Sequence, residues 1–171
     1  METKGRAFAF VVIVGLCLAD ARLSAQTPAA SASTKAPTVL FMCPHGAAKS
    51  VLASAYFQRA AKERGLNVVV TSAGTDPDPA VAPAVAAHLK KNGYSVPVSK
   101  PTRATAEQVA AADVVVSLGC DLKGYPSPRG RTVNWDDVPS PSQDFEKADA
   151  AIKQKVAALV EELVRERAKA R

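Results

Sequence analysis

Aromatic and metal-binding residues are scarce in this sequence. Phe, Tyr and Trp make up 5% of its 171 residues, and there are three cysteines and two histidines. The lysines and arginines are scattered without interleaved aromatic residues, which argues against a nucleic-acid-binding surface despite a formal net charge of +6. His88 lies in a predicted helix beside two lysines, and no His, Cys, Asp and Glu set has metal-ligand spacing, so no metal or other cofactor is expected.

The N-terminal apolar run is too short to span a bilayer comfortably. Residues 7–19 are free of charge, which is about thirteen residues where a spanning helix needs about twenty. The run follows Lys4 and Arg6 and precedes small residues, a pattern typical of a secretory signal peptide, with cleavage after Ala25 or after Ala21. We therefore expect export to the periplasm or beyond, and a mature protein without a membrane segment. An uncleaved membrane anchor is the alternative.

Two cysteines remain if residues 1–25 are removed. Cys17 would leave with the signal peptide, whereas Cys43 and Cys120 would stay in the mature chain. An oxidising compartment tends to join such thiols, so a structural disulfide is one hypothesis for this pair and a reactive role is the other.

Hydrophobic residues make up 47% of the chain, which is enough for one domain to bury a core. Residues 26–37 are rich in Ala, Ser, Thr and Pro and are interpreted as a flexible linker. The folded domain is predicted at 38–167, followed by a basic tail at 168–171. Strands are predicted at 39–42, 68–71, 114–118 and 132–135, and helices at 49–64, 79–92, 105–108 and from about 142. This alternation predicts an α/β fold, a four-stranded parallel sheet with helices on both faces that binds ligands at the carboxyl ends of its strands.

One segment at such a strand end combines a nucleophile with an anion-binding pattern. A cysteine ends the first predicted strand, five small or turn-prone residues follow, and a Lys-Ser pair opens the next helix. The segment reads Cys43-Pro44-His45-Gly46-Ala47-Ala48-Lys49-Ser50. Backbone N–H groups of such a loop and helix N-terminus bind oxyanions, and their positive potential favours the thiolate of Cys43. Ser50 can donate a hydrogen bond to that sulfur.

The 43–50 segment resembles the cysteine, five residues, arginine, serine loop of the low-molecular-weight protein tyrosine phosphatases and their thioredoxin-coupled arsenate reductase relatives. Thr-Ser-Ala-Gly-Thr at 71–75 and Ala-Asp-Val-Val-Val-Ser-Leu-Gly-Cys at 112–120 resemble the second and third strands of that family. The resemblance spans 38–167. It implies hydrolysis of a phosphate monoester through a thiophosphate intermediate on Cys43, with the oxyanion held by the loop residues and the substrate carried by a phosphorylated protein or a small ester.

Three positions depart from the family pattern. Lys49 stands where the family has an arginine, and lysine offers a compact charge in place of a planar fork. The general acid that the resemblance implies corresponds to Asp137 or Asp136 if the tryptophan of this segment is aligned, and to Ser140 if the final proline is aligned. Cys120 resembles the first resolving cysteine of some arsenate reductases, but the second is missing, so an external thiol would have to replace it.

Three functions follow from these residues. The first is a cysteine-dependent phosphatase, in which Cys43 attacks the phosphoryl group and an aspartate protonates the leaving group. The second is an arsenate reductase that uses Cys43 and Cys120 with an external thiol reductant. The third is a module that binds phosphate, sulfate or arsenate without turnover.

Overall fold

The computed structural model describes residues 36–170. The predicted signal peptide, residues 26–35 of the predicted linker and the last residue of the predicted tail lie outside the described residues. None of the helices within 36–170 combines the length and the hydropathy that crossing a membrane requires.

Four parallel strands form one sheet in the order β2-β1-β3-β4. They are β1 (Thr38–Cys43), β2 (Val69–Gly74), β3 (Val114–Ser117) and β4 (Arg131–Asn134). The central strands β1 and β3 are continuous apolar runs because helices cover both faces of the sheet. Strand β2 pairs with one side of β1, and β3 pairs with its other side. The connections that follow β1 and β3 therefore run in opposite directions along the sheet, and a crevice opens at the carboxyl ends of these two strands. The predicted parallel sheet is confirmed.

Four helices complete the described chain. They are α1 (Lys49–Glu63), α2 (Pro83–Lys91), α3 (Ala106–Ala111) and α4 (Phe145–Lys169). Helix α2 begins four residues later than predicted because Pro83 occupies its first position and keeps Ala82 extended, with φ −55° and ψ 125°. Helix α4 begins about three residues later than predicted. The N–H of Asp144 closes a turn on the carbonyl of Ser140, and its carboxylate then caps the helix by accepting from the N–H of Lys147.

Two hydrophobic cores lie on opposite faces of the sheet. On one face Phe41 of β1 packs between Phe57 of α1 and Trp135, with ring centroids 5.5 and 5.8 Å apart, and α4 adds Ile152. Helix α3 covers the smaller core on the other face with Val109. The other buried members of this smaller core are Leu40, Met42, Ala73, Ala104, Ala112 and Val115. Burial of each large side chain contributes about 1.5–3 kcal/mol, and together these contacts hold β1 rigidly at the centre of the sheet.

A buried polar cluster joins α1, α2 and α4. The Tyr56 hydroxyl donates to the carboxylate of Asp149, His88 Nε2 lies 3.2 Å from the same carboxylate, and Lys153 Nζ binds its other oxygen at 2.7 Å. Burial raises the pKa of Tyr56, and the bond to Asp149 raises it further. Burial opposes ionisation of Asp149, but the bonds from Lys153 and Tyr56 outweigh it and hold the pKa of this carboxyl below its usual value. The cluster fixes how α1 packs against α4.

The 43–50 loop packs backbone to backbone against the end of β2. Gly46 has φ +61°, and a Cβ at this position would lie 2.8 Å from the nitrogen of Gly74. A Cβ at Gly74 would in turn lie 2.7 Å from the nitrogen of Gly46. Both contacts are shorter than real Cβ atoms tolerate, so glycine is required on each side for the two segments to approach this closely.

Replacing Gly46 should destabilise the protein more than replacing Gly65, which ends α1 with φ +62° and has no atom within 4 Å of the added Cβ. Both Gly→Ala variants carry the same backbone strain, but only Gly46→Ala also forces two backbones apart. We expect Gly46→Ala to lower the free energy of unfolding by about 1–3 kcal/mol more than Gly65→Ala. Urea denaturation measures both values, and equal losses would show that the Gly46–Gly74 contact is loose.

Candidate functional site

The 43–50 loop turns its carbonyl groups outward, onto the segment that follows β2. The N–H of Asp76 donates to the carbonyl of Pro44 at 2.8 Å, that of Asp78 to His45 at 3.0 Å, and that of Ala82 to Ala47 at 3.0 Å. The carbonyl of Cys43 accepts from Thr75 at 3.3 Å. These four bonds follow the loop along its outer side and fix its curvature.

The N–H groups of the loop are left for a ligand. In a trans peptide the N–H points opposite to the preceding carbonyl, so the N–H groups of His45, Gly46 and Ala48 point to the inside of the loop. Among residues 36–170 no acceptor receives the N–H groups of His45, Gly46, Ala47 or Ala48. Helix α1 begins directly after them and has no acidic residue in its first turn, so its positive end adds to the same potential. The inside of the loop is suited to a tetrahedral oxyanion.

Cys43 lies at the base of this loop. Its side chain is 3% exposed, and its Sγ lies 3.1 Å from the hydroxyl of Ser50, which is fully buried in the first turn of α1. The thiol donates to the hydroxyl while it is protonated. Once the proton is lost, the hydroxyl can turn and donate to the thiolate, which stabilises the nucleophilic form of sulfur.

Lys49 brings a positive charge to the ends of β3 and β4. It is the first residue of α1, and its ammonium donates to the carbonyl of Val138 at 3.4 Å. The same ammonium lies 3.2 Å from where a Cβ of Gly119 would be, so Gly119 leaves room for the lysine side chain. The structure thus places the cation on the side of the crevice that faces the loops after β3 and β4.

Cys120 follows β3, in which Ser117 pairs with Met42, the residue before Cys43. Burial raises the pKa of the Cys120 thiol, and the hydrogen bond with Ser117 opposes this rise. The hydroxyl of Ser117 lies 3.5 Å from the Cys120 sulfur. Both thiols are free, so the structure holds no disulfide between them. The half-buried Cys120 also packs on the smaller core, with Leu122 and Tyr125.

The two aspartates predicted near the site have different surroundings. The carboxylate of Asp136 accepts from the N–H of Gly119 at 2.7 Å and from the side chain of Asn134 at 2.8 Å. Asp137 is 70% exposed and pairs with Lys155 of α4 at 2.8 Å. The hydrogen bond from Lys155 lowers the pKa of Asp137. Proton donation by either aspartate stays a prediction.

His45 stands at the mouth of the loop, 65% exposed, with Nδ1 3.4 Å from the carboxylate of Asp78. Four further residues around the site were not predicted from the sequence: Asp78, Ser117, Gly119 and Asn134. A signal was present for Ser117, because it is the one polar residue in an otherwise apolar buried strand. Asp78 contacts His45, which is distant in the sequence, and Asn134 contacts Asp136 across a turn. No local sequence pattern marks either residue.

Within residues 36–170 no three His, Cys, Asp or Glu side chains form a group that could hold a metal ion.

The assembled site can hold a tetrahedral oxyanion above a thiol. Buried sulfur, inward N–H groups and a nearby ammonium are the parts needed for nucleophilic attack on such a group and for stabilising the charge that develops.

Comparison with known proteins agrees with this geometry. The family model described as low molecular weight phosphotyrosine protein phosphatase matches residues 38–169. No curated protein matches the chain.

Solved structures of two kinds resemble the chain. A thioredoxin-dependent arsenate reductase of Corynebacterium glutamicum is 26% identical with a TM-score of 0.61, over 81% of this chain and 65% of that one. The chain therefore spans slightly less than two thirds of that reductase. An arsenate reductase of Archaeoglobus fulgidus is 25% identical with a TM-score of 0.58, over 72% of this chain and 98% of that one.

The second kind is a phosphatase. A protein tyrosine phosphatase of Entamoeba histolytica has a TM-score of 0.68 at 17% identity, over 77% of this chain and 99% of that one, and supports the fold. With the family model matched from the first strand to the end of the last helix, this chain belongs to the low molecular weight phosphotyrosine protein phosphatase family.

Proposed function

We propose that the protein is a cysteine-dependent phosphatase that hydrolyses a phosphate monoester through a thiophosphate intermediate on Cys43. The observation that carries the proposal is that the loop carbonyls point outward, while the N–H groups of residues 45–48 have no acceptor within residues 36–170 and the Cys43 sulfur at the base of the loop is hydrogen-bonded to Ser50. The N-terminal sequence supports export, so the substrate would be a phosphorylated protein or small ester outside the cytoplasm.

Each step is assigned to residues of the site. The Cys43 thiolate attacks phosphorus, an S–P bond forms, and the bond to the ester oxygen breaks in line with it. Backbone N–H groups of residues 45–48 and the ammonium of Lys49 hold the equatorial oxygens. Water then attacks the phosphocysteine, releases phosphate and returns the sulfur as thiolate, which Ser50 stabilises as the leaving group.

We assign proton donation to Asp137. The carboxylate of Asp136 already accepts from Gly119 and Asn134, whereas the carboxylate of Asp137 has one side-chain partner among the described residues, Lys155. Because this pair lowers the pKa of Asp137, the carboxyl must separate from Lys155 before it can carry a proton to the leaving group.

Arsenate reduction is the second candidate, and the position of Cys120 favours it. Cys43 attacks arsenic, an S–As bond forms and water leaves after protonation. The Cys120 thiolate then attacks the Cys43 sulfur, the disulfide forms, and two electrons pass to arsenic, which departs as arsenite. An external thiol reduces the disulfide. The turn after β3 that carries Cys120 lies beside the end of β1, where Cys43 is, and two arsenate reductases share 25–26% identity with the chain.

Cys43→Ser should abolish phosphate release from p-nitrophenyl phosphate under reducing conditions, whereas Cys120→Ser should retain it, because only Cys43 lies at the base of the loop. Acid quenching of the wild type with ³²P-labelled substrate should trap a phosphoenzyme that Cys43→Ser lacks. If neither protein releases phosphate or arsenite, and calorimetry still detects phosphate binding that survives Cys43→Ser, the function is anion binding without turnover.

Lys49→Arg should raise kcat/KM for p-nitrophenyl phosphate by about tenfold, because a guanidinium can bind two oxygens where the ammonium offers one charge. Lys62→Arg, near the other end of the same helix, is the matched control and should leave the rate unchanged. A lower rate in Lys49→Arg would show that the space beside Gly119 is shaped for lysine.

Cys120→Ser should prevent repeated turnover of arsenate to arsenite while it spares phosphate release, since only the reductase needs a second thiol. The measurement is arsenite formed per enzyme with excess dithiol, compared between wild type and Cys120→Ser. Equal arsenite yields from the two proteins would remove Cys120 from the mechanism.

A further inference from the structure

The carboxylate of Asp136 makes several hydrogen bonds at the carboxyl ends of the strands. One carboxylate oxygen accepts from the N–H of Gly119 at 2.7 Å and lies 3.5 Å from the hydroxyl of Ser117. The other oxygen accepts from the side-chain amide of Asn134 at 2.8 Å, and the carbonyl of that amide accepts from the N–H of Asp136 at 2.8 Å. The carboxylate therefore ties the end of β4 to the turn that follows β3.

The turn held by Asp136 touches Lys49. Gly119 adopts φ +80°, a conformation that side chains rarely allow, and its Cα faces the Lys49 ammonium. Because the N–H of Gly119 is the donor to Asp136, the carboxylate fixes the orientation of this peptide. A rotated peptide at Gly119 would move the wall against which the ammonium rests.

The same turn carries Cys120. The hydroxyl of Ser117 lies within 3.2 Å of the Cys120 carbonyl, 3.5 Å of the Cys120 sulfur and 3.5 Å of Asp136. Ser117 thus connects the carboxylate to the thiol. The thiol is half-buried on the smaller core, so loss of this connection would allow it to move towards solvent.

We propose that Asp136 is a positioning residue, which holds the 117–120 turn so that Gly119 supports Lys49 and Cys120 stays half-buried on the smaller core. It does not donate the proton. The kinetic half of this proposal rests on the proposed function, whereas the burial of Cys120 does not.

The two roles predict different responses to Asp136→Asn. Asparagine keeps an oxygen that can accept from Gly119, so positioning survives in large part. A general acid, in contrast, loses its proton in Asn and Ala alike, and the loss grows as the leaving group becomes a poorer one.

The first measurement is the alkylation rate of Cys120 by iodoacetamide, followed by mass spectrometry in a Cys43→Ser background so that one thiol is labelled. We expect Asp136→Ala to speed alkylation about tenfold and Asp136→Asn to stay within about threefold of the parent. Glu146→Gln, an exposed carboxylate in the first turn of α4, is the control and should have no effect. An unchanged rate in Asp136→Ala overturns the proposal.

The second measurement is kcat for a series of aryl phosphates whose leaving groups differ in pKa, with Cys43 intact. We expect Asp136→Ala to lower kcat by about tenfold and equally across the series, and Asp136→Asn to recover most of it. Asp137→Asn serves as the comparison, because its loss should grow with leaving-group pKa if it is the acid. A loss in Asp136→Asn that matches Ala and grows with leaving-group pKa makes Asp136 the acid and ends the proposal.

Two further outcomes, a variant that does not fold and an absence of ester hydrolysis, also bear on the proposal. If circular dichroism shows that Asp136→Ala does not fold, Ser117→Ala replaces it in the alkylation test. This variant removes the link between Asp136 and Cys120 and leaves Asp136 bonded to Gly119. Faster alkylation of Cys120 supports the proposal, and an unchanged rate opposes it. If no variant hydrolyses any ester, the proposed phosphatase function fails, and the alkylation rates alone decide the role of Asp136.

Discussion

The close approach of Gly46 and Gly74 is the constraint on which the site depends. These residues let the 43–50 loop lie against the end of β2 with no side chain between them. At that distance the loop carbonyls meet the N–H groups of residues 75–82, and planarity of the peptide bond then turns the N–H groups of the loop inward. The inward set of N–H groups therefore follows from backbone packing, which requires glycine at position 46.

The sheet supplies the second half of the arrangement. Register pairs Cys43 with Gly74 and Met42 with Ser117, so the ends of β1, β2 and β3 lie side by side. The sequence indicated this because β1 and β3 are apolar runs that follow the pattern of a buried parallel sheet. It also located Cys43, Lys49 and Ser50 correctly at the junction of β1 and α1, since a strand end and a helix start are both local features. The roles assigned to these residues stay predictions.

What the sequence could not supply are the contacts between distant segments. Gly46 and Gly74 are far apart along the chain, and neither shows its partner in a local pattern. Asp136 and Asp137 are neighbours whose identical side chains face different partners, one bonded to Gly119 and the other to Lys155. The direction in which a loop residue points depends on the turn around it, so an alignment based on one tryptophan could not separate the two. Helix α2 begins at Pro83 rather than at residue 79, because proline favours the first position of a helix and disfavours the helical conformation in the residue before it.

Lys49 and Cys120 bear on different steps of the two proposed reactions, phosphate-ester hydrolysis and arsenate reduction. Both proposed reactions begin with attack by Cys43, a step that uses the loop and a cation but no second thiol. The two reactions differ in the next step. A second thiolate can attack the Cys43 sulfur and form a disulfide only if the atom attached to that sulfur accepts two electrons, which arsenic(V) does far more readily than phosphorus(V). Since burial raises the pKa of Cys120, its thiol is mostly protonated and is a weak competitor with water at neutral pH. In the proposed function, hydrolysis of a phosphate ester proceeds whether or not Cys120 takes part, and the nature of the bound oxyanion decides whether the second cysteine is used.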